Sequence, residues 1–441
     1  MRYSLTRDPR IAALTRVPAA VRWDYLATAL SHWLTIASGL LLFYLVARRA
    51  GVAGFAYYQV ARGVVATVQP LALLGLVPAL HRYLPRAGRR VRVLARQAFL
   101  LEIVALNVLG LTALLLADDI GRLLGIGGAR EARAVVVLTA GVCLCTVAVA
   151  ALRGCGQVRR SVLLSLTGLG VLPVAALAVT DRMDVFLTVQ GAALAALACW
   201  GIAGAGPSGV ERRPPGPPAV PPLLTLLRYG VRRTPGDIAL PAMFAFPTFF
   251  VSGVSGSAAE VAYVGFTTSA ITLVCSIFGI LTPVLLPRLS GHAHDAEAVD
   301  RGFNSDLAHG LRVLPLAAAG VAAVACALLA AVAAPVVRWF LGAGFDGAEV
   351  ILRVGVPVSI PLAAFYAARP TIDALRETPV TARLLIGSLA VEVLVTYGAA
   401  LALPAWPAAL LGFGTAAVVL GVLSYVALRR VIPPTVRPPR P

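Results

Sequence analysis

Three side chains able to handle charge share one helical face in the stretch YQVARGVVATVQPLALLGLVPALHRYLPR: Gln59, Arg62 and Gln69. The run around them is apolar and long enough to cross a bilayer, so the guanidinium carries an insertion cost of about 2.5–3.5 kcal/mol. A charge retained at that cost usually faces a bundle interior or a wet cavity, where it can meet an anion. A second such face carries Ser359, Tyr366, Arg369 and Asp373. A third runs along the first apolar segment through Asp24, Thr28, Ser31, Thr35 and Ser38, in steps of three and four, with His32 beside it. Thr268, Thr272, Cys275 and Gly279 form a weaker stripe of small residues. A central, water-filled, partly cationic cavity is the simplest common destination for Arg62 and Arg369, with Gln59, Gln69, Ser31, His32, Thr35 and Tyr366 as further substrate-binding candidates.

Each candidate has a plainer alternative. Arg62 can snorkel to the interface from the outer end of its helix. Arg369 can pair with Asp373 one turn away. Asp24, beside Arg22, and Asp237 can serve as helix starts. The Ser/Thr stripes suit interhelical packing as well as ligand binding. Glu102 and Glu392 lie deeper in their segments, as proton-linked sites or interhelical hydrogen-bond partners. With Asp24 and Asp237 they are the ion-coupling candidates.

The elements that must position these residues follow from composition. The 441 residues are 59% hydrophobic and 13% charged, about half the charge share of a soluble chain. Apolar runs of about 20 residues recur along the chain, which reads as an all-α polytopic membrane protein. Twelve spans are expected, near 25–47, 58–80, 95–117, 134–152, 162–180, 184–204, 236–255, 262–286, 309–336, 350–372, 384–403 and 407–428. They divide into two six-helix halves around a central cavity. Residues 1–24 form a basic N-terminal arm, 25–205 the first half, 206–234 a Pro/Gly-rich linker, 235–428 the second half and 429–441 a basic tail.

All 38 basic residues are Arg. Placing the N-terminus in the cytoplasm puts 28 of them on that side, seven on the other and three (Arg62, Arg353, Arg369) within the membrane. Both termini are therefore expected to be cytoplasmic, in a cell membrane. The Lys-free, Ala- and Arg-rich usage points to a GC-rich bacterial genome. The net charge of +18 is a loop property, and no basic patch interleaved with aromatics suggests nucleic acid. The six cysteines sit in or beside apolar segments, without metal or redox spacing, and read as small packing residues. No metal site, cofactor motif or enzyme constellation such as GxSxG, HExxH or a P-loop is present. Weak internal similarity supports equivalent halves: Leu84-Pro85-Arg86 matches Leu286-Pro287-Arg288, and Ala151-Leu152-Arg153 matches Ala374-Leu375-Arg376.

Particular loop phrases resemble the polysaccharide-transporter branch of the MOP flippase superfamily, the Wzx-type oligosaccharide flippases. They are Gly51-Val-Ala-Gly54-Phe55-Ala-Tyr57-Tyr58, the stretch from Leu74 to Tyr83, Leu152-Arg153-Gly154, Glu260-Val261-Ala262-Tyr263 and Leu286-Pro287-Arg288-Leu289-Ser290. The first lacks a second Gly common there, and Pro241 and Pro247 break the seventh span more than usual. The resemblance implies translocation of a polyprenyl-diphosphate-linked oligosaccharide to the outer leaflet by alternating access, beside glycosyltransferases and a polymerase of the same pathway. Arg side chains suit a diphosphate through forked, charge-assisted hydrogen bonds. The alternatives are a MATE-like drug or metabolite antiporter, a lipid-linked glycosyltransferase or polymerase, and a transport-inactive scaffold. The acid-free first external loop speaks against a catalytic carboxylate centre.

Overall fold

The computed structural model describes residues 19–84, 87, 90–125, 127–205, 223–231, 234–279, 305–375 and 380–432. Its regular elements are all helical among those residues. They are α1 (Ala19–Ala72), α2 (Leu76–Tyr83), α3 (Val91–Leu115), α4 (Ala117–Leu123), α5 (Ala129–Gly154), α6 (Val158–Ser165), α7 (Leu172–Val179) and α8 (Met183–Ala203). A π-helical turn, Leu166–Val171, joins α6 to α7. After the break come α9 (Leu223–Val231), α10 (Thr234–Val254), α11 (Ala258–Gly279), α12 (Ser305–Ala331), α13 (Ala333–Phe340), α14 (Ala348–Gly355), α15 (Ser359–Leu375), α16 (Val380–Ala399) and α17 (Ala405–Val431).

Among the described residues eleven helical stretches are long and apolar enough to cross a membrane. The first, Leu30–Ala72, is 43 residues long and turns back at Gly51, whose φ of 63° only glycine adopts cheaply. It therefore supplies two crossings, and the expected twelve are recovered. The protein is a multi-pass membrane protein. Residues 48–57, expected as a loop, are helical on either side of Gly51. The eighth span is described only to Gly279, and the sequence matches at 85–86, 286–288 and 376 lie outside the described residues, as does the arm up to residue 18. Within 206–234 the Pro/Gly-rich part to 222 is likewise outside, but Leu223–Val231 is a helix rather than linker.

Small residues let the helices of the first half approach closely. Gly141 of α5 lies so close to α8 that a Cβ on it would strike the Gly191 backbone, and a Cβ on Gly191 would strike the backbone of Val137 and Leu138. Cys143, Cys145, Cys155, Cys275 and Cys326 are buried as packing residues, whereas Cys199 is exposed.

Candidate functional site

α1 packs along α10 and α11, and this packing seam joins residues from well-separated parts of the sequence. Arg62 stands in this seam. Its Nη1 donates to Gln59 Oε1 at 2.8 Å and to Ser269 Oγ on α11 at 3.0 Å. Ser269 Oγ also lies 3.3 Å from the same Gln59 oxygen. Gly265, one turn before Ser269, makes the approach possible, because a Cβ there would meet the Gln59 side chain at 2.6 Å. The guanidinium lies over the Phe43 ring, 4.4 Å from its centroid, and 6.0 Å from that of Tyr58. Phe43 in turn packs edge-on against Phe55 and Tyr58.

No carboxylate pairs with Arg62 among the described residues. Its partners are an amide, a hydroxyl and aromatic faces, which leave the positive charge uncancelled. Because the helix starts again directly after Gly51, Arg62 lies eleven residues from the bend. That is about 16 Å of helix rise, near half the hydrocarbon thickness. The snorkelling alternative assumed a helix starting near Tyr58; in the structure the helix resumes just after Gly51, and the Arg62 guanidinium bonds to Gln59 and Ser269.

The other candidates disperse. Gln69 Nε2 donates to Thr146 Oγ1 of α5 at 2.8 Å, inside the first half. Ser31 is buried and Thr35 back-bonds to its carbonyl at 2.8 Å. Of that stripe Ser38 faces Gly170 of the π turn, and His32 is exposed, edge-on to Trp33. Thr268 and Thr272 bond to backbone of their own helix. Tyr366 stacks edge-on with Phe365 in the second half. Arg369 pairs with Asp373 (Nε to Oδ2, 3.4 Å), which also accepts from Thr381 Oγ1. Arg62 is thus held by Gln59 and Ser269, whereas Arg369 is held, through Asp373, by its own helix and by Thr381. With a local, partly exposed pair of this kind worth about 0.3–0.5 kcal/mol, Arg369→Ala is expected to leave transport within about twofold of wild type. Uptake or transfer by the variant in proteoliposomes checks this.

Among the carboxyls, Asp237 sits in the first turn of α10, as a helix start would. Asp24 lies in α1, its side chain outside those described. Glu102 and Glu392 are both fully buried, and neither oxygen of either has a hydrogen-bond partner among the described residues. The interhelical hydrogen bond expected for them is not made. Glu392 shares its buried face of α16 with Ser388 and Thr396, whose hydroxyls are also unpartnered. Holding such a group costs about 1–3 kcal/mol, which an apolar replacement removes. Glu392→Leu is therefore expected to raise the unfolding temperature in detergent. An unchanged or lowered temperature would show a partner that the carboxyl depends on.

At the Gly51 end the halves are closed on each other. Arg48 Nη2 donates to the Trp339 carbonyl at 2.7 Å, and Tyr44 stacks on Trp339 and Phe340. Phe55 meets Phe345 edge-on, and Ser252 Oγ of α10 donates to the Leu124 carbonyl at 2.6 Å. At the opposite end Trp33 and Leu34 of α1 and Leu273 and Ile277 of α11 are exposed. The seam residues Phe43, Tyr58 and Ser269 were not singled out from sequence; the small-residue spacing Gly265-x-x-x-Ser269 was the available signal.

No family model and no curated protein matches the sequence. Solved structures do. One is a multidrug-resistance MATE transporter of the MOP superfamily in an inward-facing conformation: TM-score 0.67, 15% identity, 90% of this chain and 94% of that one. Another is the lipid II flippase MurJ in an inward closed conformation: TM-score 0.64, 13% identity, 92% of this chain and 86% of that one. A third, from Pyrococcus furiosus, is a MOP-superfamily transporter described as having a binding pocket of reversed polarity: TM-score 0.56, 15% identity, 92% and 96% coverage. The all-helical architecture and these likenesses agree on the fold: the chain has the fold seen in the MATE transporter and MurJ flippase structures.

Proposed function

We propose that the protein is a flippase that carries a polyprenyl-diphosphate-linked oligosaccharide from the inner to the outer leaflet of a bacterial cytoplasmic membrane, for cell-surface polysaccharide synthesis. The observation that carries this reading is Arg62: a guanidinium within an apolar helix, between α1 and α11, held by neutral partners, with no carboxylate paired to it among the described residues. Such a site favours an anion and repels a cationic drug. One of the structural likenesses is a lipid II flippase, in accord with this reading.

With the termini in the cytoplasm, the closed Gly51 end is the outer gate. The Arg48, Tyr44 and Ser252 contacts then describe a state closed to the outside. Rocking of the halves would break these contacts and expose Arg62 to the outer leaflet. Glu102 and Glu392 are the coupling candidates with the strongest support, since each holds unpartnered oxygens in the interior; Asp24 and Asp237 follow. Glycosyltransferases and a polymerase of the same pathway are the partners this reading brings.

A MATE-like antiporter is the second reading, favoured by the 0.67 likeness to a multidrug transporter. The test is transfer of a labelled polyprenyl-diphosphate oligosaccharide across proteoliposomes. Transfer supports the flippase. Absence of transfer together with proton- or sodium-driven uptake of an organic cation supports the antiporter.

A further inference from the structure

An apolar cavity of about 280 Å³ lies between the outer half of α3, α4, α5 and the second arm of α1. Its wall includes Leu106, Gly110, Leu123, Val136 and Thr67, with Phe249 of α10 contributed by the other half. Thr67 and Thr139 are its only hydroxyl residues. Thr139 donates to the Val135 carbonyl at 2.8 Å, which leaves Thr67 as the one hydroxyl in the wall without a partner in the structure.

Two features fix what could enter. Leu109, inside the apolar span Val91–Leu115, lines the cavity and is 39% exposed, so the mouth opens beside α3 on the lipid-facing surface of that span. The medium there is hydrocarbon. An apolar cavity of about 150 Å³ already admits benzene, so this one accepts a bulky chain segment. The inner wall reaches the seam: Phe249 abuts Gly63, where a Cβ would meet its ring at 2.8 Å, and Gly63 adjoins Arg62. Thr67 is five residues, about 7.5 Å of helix rise, beyond Arg62. A bilayer lipid has no reason to reach from the membrane to that seam. A lipid whose anionic head sits on Arg62 does.

We propose that this cavity is a binding site for the isoprenoid tail of the transported lipid. The assignment rests on the flippase reading. It places the chain between α3 and α4 while the diphosphate meets Arg62.

Gly110 supplies a test that spares the fold, because a Cβ there finds only Val136 Cγ1, at 3.8 Å. The full-length protein in nanodiscs is irradiated with a polyprenyl diphosphate bearing a photoreactive group at its hydrocarbon end. A phospholipid bearing the same group at its acyl terminus is the parallel probe, and labelled peptides are mapped by mass spectrometry. The expected result is prenyl labelling on α3 and α5 around Gly110 and Val136, at least fivefold above the phospholipid. Gly110→Leu should cut it at least fivefold without changing the unfolding temperature; Ala140→Leu repeats the test should Gly110→Leu not fold. Equal labelling by the phospholipid, or labelling unaffected by a folded cavity-filling variant, overturns the assignment. Neither probe carries sugar, so the two claims separate. If wild-type oligosaccharide transfer fails while prenyl labelling stands, the flippase reading falls and the cavity remains a prenyl-chain site.

Discussion

Arg62→Ala is expected to reduce transfer of the lipid-linked oligosaccharide on the order of ten- to hundredfold, with the protein still folded. A hydrogen bond to a charged group contributes about 1.5–3 kcal/mol, and each 1.4 kcal/mol is tenfold in rate or affinity. The wild-type guanidinium is already desolvated and oriented by Gln59, Ser269 and the Phe43 face. Only the anion has to arrive. Arg62→Lys should fall between wild type and Ala, because it keeps the charge and loses the planar fork that matches a diphosphate and stacks on Phe43. Arg62→Gln should resemble Ala in transfer, since a neutral side chain can restore the link to Ser269 but not the charge. Equal transfer by Arg62→Gln and wild type would show that the residue serves only to hold the halves together. The measurement is initial transfer rate in proteoliposomes at matched protein content, with folding checked by size-exclusion elution and unfolding temperature.

The contrast between Arg62 and Arg369 shows how far a sequence can be read here. Arg369 and Asp373 are four residues apart on one helix, so their pairing is a local matter, and the spacing alone predicts the bond that the structure contains. Arg62 finds its partner 207 residues away, across the seam, where no periodicity within either helix points. The twelve crossings were legible because apolar runs of bilayer length leave few alternatives. The helical bend at Gly51 was not: Arg48 and Arg49 beside glycines read as loop, whereas the alanine, valine and aromatic residues between them continue the helix up to and beyond a single positive-φ glycine. With the second helix read from Tyr58, Arg62 stood near a helix end, which is why snorkelling was an alternative. The polar stripe from Ser31 to Ser38 was placed on one face correctly, but a stripe does not say which neighbour it faces. For Ser38 the neighbour is the π turn at Gly170, whereas Thr35 bonds back to its own helix. For Glu102 and Glu392 the depth was readable and the want of a partner was not, since that depends on which residues α5 and α17 turn toward them.

Gly141→Val is expected to have the largest effect on folding of any single change considered. Gly141 lies midway along α5, and Gly191 lies on α8, at the point where the two helices cross backbone to backbone. A side chain at Gly141 would meet the Gly191 carbonyl oxygen and Cα, which belong to a helix and cannot turn aside as a flexible side chain can. Relief requires the helices to move apart over their shared length. That would separate the buried neighbours Leu138 and Cys145 of α5 from Leu187 and Leu194 of α8. In a bilayer such an interface is held mainly by close packing and not by exclusion of water, so the loss of contact is not offset by a hydrophobic term. Overpacking commonly costs about 1–3 kcal/mol, and a backbone collision at a crossing point belongs at or above the top of that range. The variant should yield little monodisperse protein. Gly191→Val should do the same, because its Cβ meets the Val137 carbonyl from the opposite side. Gly387→Val, on α16 where a Cβ finds nothing within 4 Å, should express and elute as wild type does. Normal expression of Gly141→Val beside that control would mean that the two halves of the crossing stand further apart than their glycines require.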